Sequence, residues 1–248
     1  MSAIYVLWLR EVKKYFRSRS RIIGSLGQPL LFLLAFGFGF GAIYSKAGQG
    51  NYINFLAPGI ILMSVLFTGI FSGISLIWDR QFGFLKETMV APVSRLQIML
   101  GKTLGGATVA SIQGLIVFVL TLLVGFRPHS YLILPVSAAF VFLVAVLFTS
   151  LGVAVASNLE DMQGFQLIMN FLVMPIFFLS GALFPLAGLP TVMEVVVKVD
   201  PMAYGVDALR DTLINTSHFG LGLDILILTV VTLMLLFVGS FMFERIQV

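Results

Sequence analysis

Six stretches of this chain are long, apolar and free of charged residues at their centres. They cover residues 22–44, 55–78, 103–126, 131–157, 164–184 and 221–243. About 20 apolar residues are enough for a helix to cross a hydrocarbon core of about 30 Å. The sequence therefore predicts an all-α integral membrane protein with six transmembrane helices.

The composition supports the same conclusion. Only 10% of the 248 residues are charged, whereas a soluble domain carries roughly 25%. These charged residues are too few to cover the water-facing surface of a soluble protein of this size. The chain has no cysteine, which excludes disulfides, thiolate metal sites and a cysteine nucleophile. His129 and His218 are too far apart in sequence for a local metal motif. We therefore expect no metal or other cofactor in this chain.

Residues 1–21 form a separate basic segment. Apolar residues recur there at spacings of three and four, which predicts an amphipathic helix. Its polar residues are Arg10, Glu11, Lys13, Lys14 and Arg17. We expect the helix to lie along the membrane surface, although a basic run can also serve only to fix topology. A signal peptide fits poorly, because the basic region and the following apolar run are too long and no cleavage-like site follows.

The distribution of positive charge predicts the orientation. Eleven of the 15 lysines and arginines lie before the first span, in the connector 79–102 or in the last residues. Six crossings place both termini on one side, and positive charge favours the cytoplasmic side. We therefore predict a protein of the cell (cytoplasmic or inner) membrane with both termini and the connector in the cytoplasm. The same asymmetry accounts for the net positive charge of the chain, so we expect no nucleic acid as a partner.

Residues 185–220 differ from the spans because apolar and charged residues are mixed. Pro190 and Pro201 can each open a short helix. We predict two external re-entrant helices that dip into the membrane or rest on its face.

The chain contains no recognisable energy source of its own. The centres of the spans lack the ionisable groups on which proton relays and voltage sensors depend. Gly101-Lys102-Thr103 resembles the end of a phosphate-binding loop, but Leu96 stands where that motif needs glycine. We therefore expect no enzymatic activity here, and ATP hydrolysis on a partner.

Other functions remain as alternatives. A gradient-driven secondary transporter requires sodium sites built from carbonyls and hydroxyls, and a membrane anchor for an ATPase sensor requires no transport at all. An intramembrane enzyme is disfavoured because polar residues such as Ser150 and Asn170 occur singly, without a catalytic partner in another span.

Two motifs carry a resemblance to a known family. Residues 79–95 read DRQFGFLKETMVAPVSR and are followed by Gly101-Lys102; residues 178–185 read FLSGALFP and are followed by Leu189-Pro190 and by 200–210, DPMAYGVDALR. In the right order over nearly the whole chain, these residues resemble ABC-2 type permeases, the membrane subunits of ABC exporters, in particular the daunorubicin-resistance and nodulation-factor export permeases. Gln28-Pro29-Leu30 is a weaker third match.

The resemblance implies one ABC-2 transmembrane domain over 1–248, of the type V exporter fold. It implies a homodimer that exports a drug, lipid or glycoconjugate, with two ATP-binding cassette subunits that carry ATP and Mg. The family's coupling helix would fall at about 85–92, and the N-terminal helix would make a second contact with the ATPase. The residues expected in coupling are Arg80, Leu85, Lys86, Glu87, Thr88, Met89, Pro92 and Arg95.

The resemblance also implies a pathway at the dimer interface, lined by spans one, two and five. Gly37 with Gly41, and Gly69 with Gly73, form two GxxxG pairs that bring helices close, either within one subunit or across the dimer. The aromatic candidates contact substrate or face lipid: Phe36, Phe40, Phe171 and Phe178.

The resemblance assigns a re-entrant or gate role to nine residues from the end of the fifth span into the external segment: Ser180, Gly181, Phe184, Pro185, Pro190, Pro201, Tyr204, Asp207 and Arg210. Four charged residues cluster in the external segment, and they form an exit gate, a set of ion pairs that holds the re-entrant helices, or part of a solvated surface helix: Asp200, Asp207, Arg210 and Asp211.

Overall fold

A computed structural model describes residues 2–46, 50–90, 93–186 and 188–244. Within these residues the regular structure is entirely α-helical. The helices are α1 Ala3–Arg17, α2 Arg19–Lys46, α3 Tyr52–Phe71, α4 Ile74–Gln81, α5 Phe84–Val90, α6 Arg95–Val124, α7 Leu134–Ser157, α8 Met162–Leu179, α9 Thr191–Val199, α10 Pro201–Ile214 and α11 Leu221–Glu244.

Six helical stretches are long and apolar enough to cross a membrane, which confirms the predicted number. They are Ile22–Gly41, Tyr52–Gln81, Arg95–Val124, Leu134–Ser157, Met162–Leu179 and Leu221–Phe243. The second span comprises α3 and α4, which are separated by a bend at Ser72 and Gly73.

The third span begins eight residues earlier than predicted. Ser94 caps α6 with its side chain, and Gln97 completes a capping box by accepting from the Ser94 amide. Arg95 and Lys102 therefore belong to α6, whereas their charges favour a position in the connector. Asp79 likewise lies within α4, so the polar connector between helices is much shorter than 79–102.

The centre of the bundle is formed by α3, α6 and α7. Gly69 and Gly73 pack within the chain: a Cβ on Gly69 would lie 3.1 Å from Thr149 Oγ1, and one on Gly73 would lie 2.4 Å from the Gly152 carbonyl oxygen. Helix backbones come this close only where side chains are absent. Of the two interpretations of this GxxxG pair, the structure supports packing inside one subunit.

Pro190 and Pro201 stand where each of the two short helices begins. Pro190 is the N-cap residue of α9 and Pro201 the first residue of α10. Asp200 caps α10 by accepting from the Met202 amide at 2.9 Å. The side chains from Met202 to Arg210 are all buried, because α10 packs against α3, α7 and α11. The bundle thus has two different ends, an α1 end with α1, α4 and α5, and an α10 end with α9 and α10.

Candidate functional site

At the α1 end, α1 packs closely against the first half of α6. A Cβ on Gly101 would lie 2.8 Å from Leu7 Cβ, and one on Gly105 would lie 2.7 Å from Glu11 Cβ. The Trp8 indole N–H donates to Thr108 Oγ1 at 2.9 Å. The glycine of the apparent phosphate-loop fragment therefore serves helix packing.

This contact encloses a buried ionic cluster, which we define as Arg10, Glu11, Asp79 and Lys102. Arg10 donates to both carboxylate oxygens of Asp79, at 2.8 and 2.6 Å. Lys102 Nζ donates to Glu11 at 2.6 Å and also to Asp79. Asp79 and Lys102 are only 4% and 3% exposed, whereas the Arg10 side chain is 30% exposed. The two cations therefore neutralise the two anions at the edge of the protein interior.

Arg10 also connects the ionic cluster to α5. Its guanidinium carbon lies 3.6 Å from the centroid of the Phe84 ring, and Phe84 is the first residue of α5. The hydrogen bond and charge of Asp79 raise the pKa of Arg10 above its ordinary value, against the opposing effect of burial. One side chain of α1 thus contacts both α4 and α5.

The outer side of α1 remains open. Lys13 and Arg17 are exposed, whereas Lys14 is half-buried and lies 5.1 Å from the Trp78 ring centroid. Burial lowers the pKa of Lys14. Glu11 is buried in the ionic cluster, so of the five polar residues predicted together, Arg10 and Glu11 face inward.

The short helix α5 has both anchored and exposed side chains. Leu85 is 1% exposed and belongs to the core, whereas Glu87 is exposed and Val90 is 87% exposed. Thr88 Oγ1 donates to the Phe84 carbonyl. Gly83 has a φ of +79° at the turn between α4 and α5, a backbone conformation that glycine adopts without strain.

The other predicted coupling residues are spread around this helix. Arg80 on α4 forms an ion pair at 3.2 Å with Glu160, which lies in the connection between α7 and α8. Arg95 is exposed at the start of α6. Pro92 and the side chains of Lys86 and Met89 lie outside the described residues.

Asp79 and Lys102 are the site residues that sequence reasoning missed. Their charges predict the two boundaries of a solvated connector. Two features of the sequence could have indicated them. The spacing of Gly101 and Gly105 indicates that another helix packs closely against α6. Asp79 and Lys102 also carry opposite charges at the facing ends of two consecutive apolar runs.

At the α10 end, Arg210 donates hydrogen bonds to backbone carbonyls. It is 5% exposed and donates to the carbonyls of Phe55, Gly181 and Ala182, with its guanidinium carbon 3.7 Å from the Phe55 ring centroid. Burial lowers the pKa of Arg210 to about 10. None of the ion pairs between described residues includes Arg210, which speaks against the alternative in which ion pairs of Arg210 hold this segment.

The other gate residues divide between buried and exposed positions. Asp207 accepts from the amides of His218 and Phe219 and so caps the turn before α11. Tyr204 donates to the Lys198 carbonyl. The Ser180 hydroxyl is buried and donates to the Phe177 carbonyl, and Gly181 is buried beside it. Phe184, Pro185 and Pro190 are exposed, whereas Pro201 is half-buried.

The aromatic candidates lie along α2 and α8. Phe36 stacks on Phe40 with ring centroids 5.6 Å apart, and Phe32 lies 5.3 Å from Phe36 and 6.5 Å from Phe178. Phe171 is separate and 84% exposed. The structure thus brings three of the four predicted rings into one strip.

The first GxxxG pair divides between two environments. A Cβ on Gly37 would lie 3.3 Å from Ile53 of the same chain, whereas one on Gly41 would meet nothing within 4 Å. Gly37 therefore packs within the subunit, and Gly41 leaves an open notch on α2.

Comparisons with known proteins agree with this architecture. The chain is 28% identical over 215 residues to "Nodulation protein J" of Rhizobium leguminosarum bv. trifolii, covering 85% of this chain and 78% of the relative. It is 28% identical over 214 residues to "Putative transport permease ycf38" of Cyanophora paradoxa, covering 84% and 72%. It is also 28% identical over 204 residues to "Daunorubicin resistance ABC transporter permease protein DrrB1" of Streptomyces coeruleorubidus, covering 80% and 70%. The family model described as "ABC-2 type transporter" matches residues 2–214, and this multi-pass membrane protein therefore belongs to the ABC-2 type transporter family.

Proposed function

We propose that this chain is the permease subunit of an ATP-driven exporter whose hydrolysis takes place on separate ATP-binding cassette subunits bound at the α1 end. The observation that carries the proposal is the buried ionic cluster, which joins α1, α4 and α6 directly beside α5. Two exposed surfaces flank this cluster, the outer side of α1 and the outer side of α5.

The charge of the chain supports a cytoplasmic α1 end. Lys13 and Arg17 on the outer side of α1 are two of the eleven lysines and arginines that the sequence predicts on one side of the membrane. Positive charge near spans favours the cytoplasmic face, where ATP is available to a partner. In this orientation α9 and α10 lie at the external end, and the protein belongs to the cytoplasmic or inner membrane of the cell.

The connection of α5 to the spans supports a mechanical role. Leu85 is inserted in the core and Arg10 contacts Phe84, while α4 continues the second span. Separating members of a buried ion pair is strongly unfavourable. A push on α5 therefore moves α4, α6 and α1 together as a rigid body, which is how partner domains drive many transport cycles.

The unpacked faces of α2 and α8 support pairing with a second copy. Leu31 and Phe38 on α2 and Leu167 and Phe171 on α8 are 65% to 84% exposed. Gly41 lies open on the same helix as the aromatic strip. Small residues allow close helix approach in membranes, so we place the dimer contact and the translocation pathway along these two helices.

The substrate class follows from this strip and from the named relatives. Stacked phenylalanine rings along the proposed pathway suit a hydrophobic or amphipathic molecule. One relative is named for nodulation and another for daunorubicin resistance. We propose export of a drug, lipid or glycoconjugate with a substantial apolar part.

The test is purification of the tagged protein from its native membrane in mild detergent, with identification of co-eluting proteins and assay of ATP hydrolysis with Mg. Glu87→Ala removes the exposed carboxylate in the first turn of α5. Glu194→Ala is the matched control, because Glu194 is an exposed glutamate in the first turn of the short helix α9 at the other end. We expect two ATPase subunits per two permeases, with hydrolysis or docking reduced several-fold by Glu87→Ala alone.

Elution of the chain without any ATPase, and failure to reconstitute one, would overturn the proposal. Equal effects of Glu87→Ala and Glu194→Ala would leave an ATPase partner in place but remove α5 as its docking point.

A further inference from the structure

A groove on the side of the bundle has no part in the proposed transport cycle. It lies between α6 and α7, with α3 and α10 behind it, and has a volume of about 460 Å³. Its floor includes Ile61 and Leu213, which are 2% and 1% exposed, whereas Leu115 and Phe142 at its rim are 60% and 40% exposed. The groove is therefore open toward the surroundings of the bundle and closed toward its core.

The groove is large enough for a hydrocarbon chain and too apolar to hold water. A cavity of about 150 Å³ lined by apolar side chains stays dry and accepts a hydrocarbon molecule. The hydroxyls of Thr108 and Ser111 already donate to the carbonyls of Leu104 and Ala107. With those donors occupied within their own helix, hydrocarbon is the occupant that the lining favours.

The length and depth of the groove match one leaflet of a bilayer. The part of α6 from Thr108 to Phe118 extends about 15 Å at about 1.5 Å per residue, which is half of a hydrocarbon core of about 30 Å. Leu134, the first residue of α7, lines the groove. The groove therefore occupies the half of the membrane at the α10 end.

An exposed cation lies beyond Phe118, just after the end of the helix that lines the groove. Phe118 in the groove contacts the ring of Phe126 at 6.3 Å, and Arg127 follows Phe126. Arg127 is exposed and donates through Nη1 to the carbonyls of Leu122 and Phe126. It forms no ion pair with the carboxylates that the structure describes.

We propose that the groove between α6 and α7 binds one acyl chain of an anionic phospholipid whose phosphate pairs with Arg127. Guanidinium groups bind phosphate oxygens by charge-assisted hydrogen bonds. Neither α2 nor α8 lines the groove, so the site stays accessible to the bilayer when two copies pair through those helices.

Photo-crosslinking of the full-length protein in liposomes tests this inference. Phosphatidylglycerol and phosphatidylcholine, each with a diazirine in the middle of one acyl chain, serve as probes, and labelled peptides are mapped by mass spectrometry. Ala138→Phe fills the groove, and Ala139→Phe is the matched control, since both alanines are exposed neighbours on α7 and only Ala138 lines the groove. Arg127→Gln removes the headgroup partner without filling the groove.

We expect phosphatidylglycerol to label 108–118 and 134–142 in the wild type and in Ala139→Phe, and about tenfold less in Ala138→Phe. Arg127→Gln should reduce labelling by phosphatidylglycerol several-fold and leave labelling by phosphatidylcholine unchanged. Equal labelling of the two alanine variants, labelling spread evenly over α2, α8 and α11, or a groove covered by a second copy would overturn the proposal. Should Ala138→Phe fail to fold, the lipid preference of Arg127→Gln decides alone, and an unchanged preference contradicts the site.

Discussion

Lys102→Met is the most direct test of the ionic cluster. In the wild type, Lys102 and Arg10 neutralise Glu11 and Asp79, and Lys102 and Asp79 are almost fully buried. Methionine keeps much of the side-chain volume but leaves two anions with one cation. Removing one partner of a buried ion pair typically costs about 3–5 kcal/mol. A loss of about 3 kcal/mol makes opening of the α1 contact roughly 150-fold more frequent, at about 1.4 kcal/mol for each factor of ten.

The assay is amide hydrogen exchange of α1 in the full-length protein in detergent. We expect exchange across Ala3–Arg17 to accelerate by about two orders of magnitude in Lys102→Met, with α7 unchanged. Lys198→Met, at an exposed lysine of α9, is the control and should change stability by less than about 0.5 kcal/mol. The double variant Lys102→Met with Glu11→Gln restores neutrality and should recover at least about half of the lost protection, because contacting charges are energetically coupled.

Two results would refute this reasoning. Wild-type exchange of α1 in Lys102→Met would show that the buried charges contribute nothing to docking of the helix. A double variant that is worse than Lys102→Met would show that restoring neutrality in the ionic cluster does not restore docking of the helix.

Three further predictions concern the bundle and its α10 end. Gly152→Ala should cost at least about 3 kcal/mol in denaturant titrations, because its Cβ would lie 2.2 Å from the backbone oxygen of Ile70, whereas Gly222→Ala in α11 meets nothing within 4 Å and should be neutral. Arg210→Met should destabilise by about 2–5 kcal/mol by leaving buried carbonyls without donors; a Tm equal to that of the wild type would contradict this role. Burial raises the pKa of Asp200 to about 7. The folded state therefore binds this proton more tightly than the unfolded state, and the stability gained below about pH 4 is lost as pH rises to about 7. Asp200→Asn keeps a side chain that can cap α10, and it should remove the loss of stability between about pH 4 and pH 7. The same dependence of stability on pH in Asp200→Asn and in the wild type would contradict the raised pKa of Asp200.

The transmembrane part of the fold was predictable because the relevant signal is local. Runs such as 131–157 contain no charge over their whole length, and in a bilayer this decides their conformation almost alone. Pro190 and Pro201 are also local signals, since each proline stands at the start of its helix and favours the conformation of the first turn.

The site was less predictable because its contacts join residues far apart in sequence. Lys102 and Glu11 are separated by 91 positions, and nothing near either residue indicates the other. Charge ordinarily indicates solvent exposure, but this fails for Lys102 and for Arg210 because each has acceptors supplied by segments distant in the sequence.

The sequence separation within the ionic cluster also has a consequence for biosynthesis. Arg10 leaves the ribosome 69 residues before Asp79, and Glu11 leaves 91 residues before Lys102. At about 5–20 residues per second, the amino-terminal helix waits about 5–20 s for its partners. During that interval the first span is already available for insertion, while the helix before it still has its charges in water. α1 therefore cannot dock before α6 has been synthesised, and a nascent chain arrested before residue 102 leaves the charges of α1 without these partners.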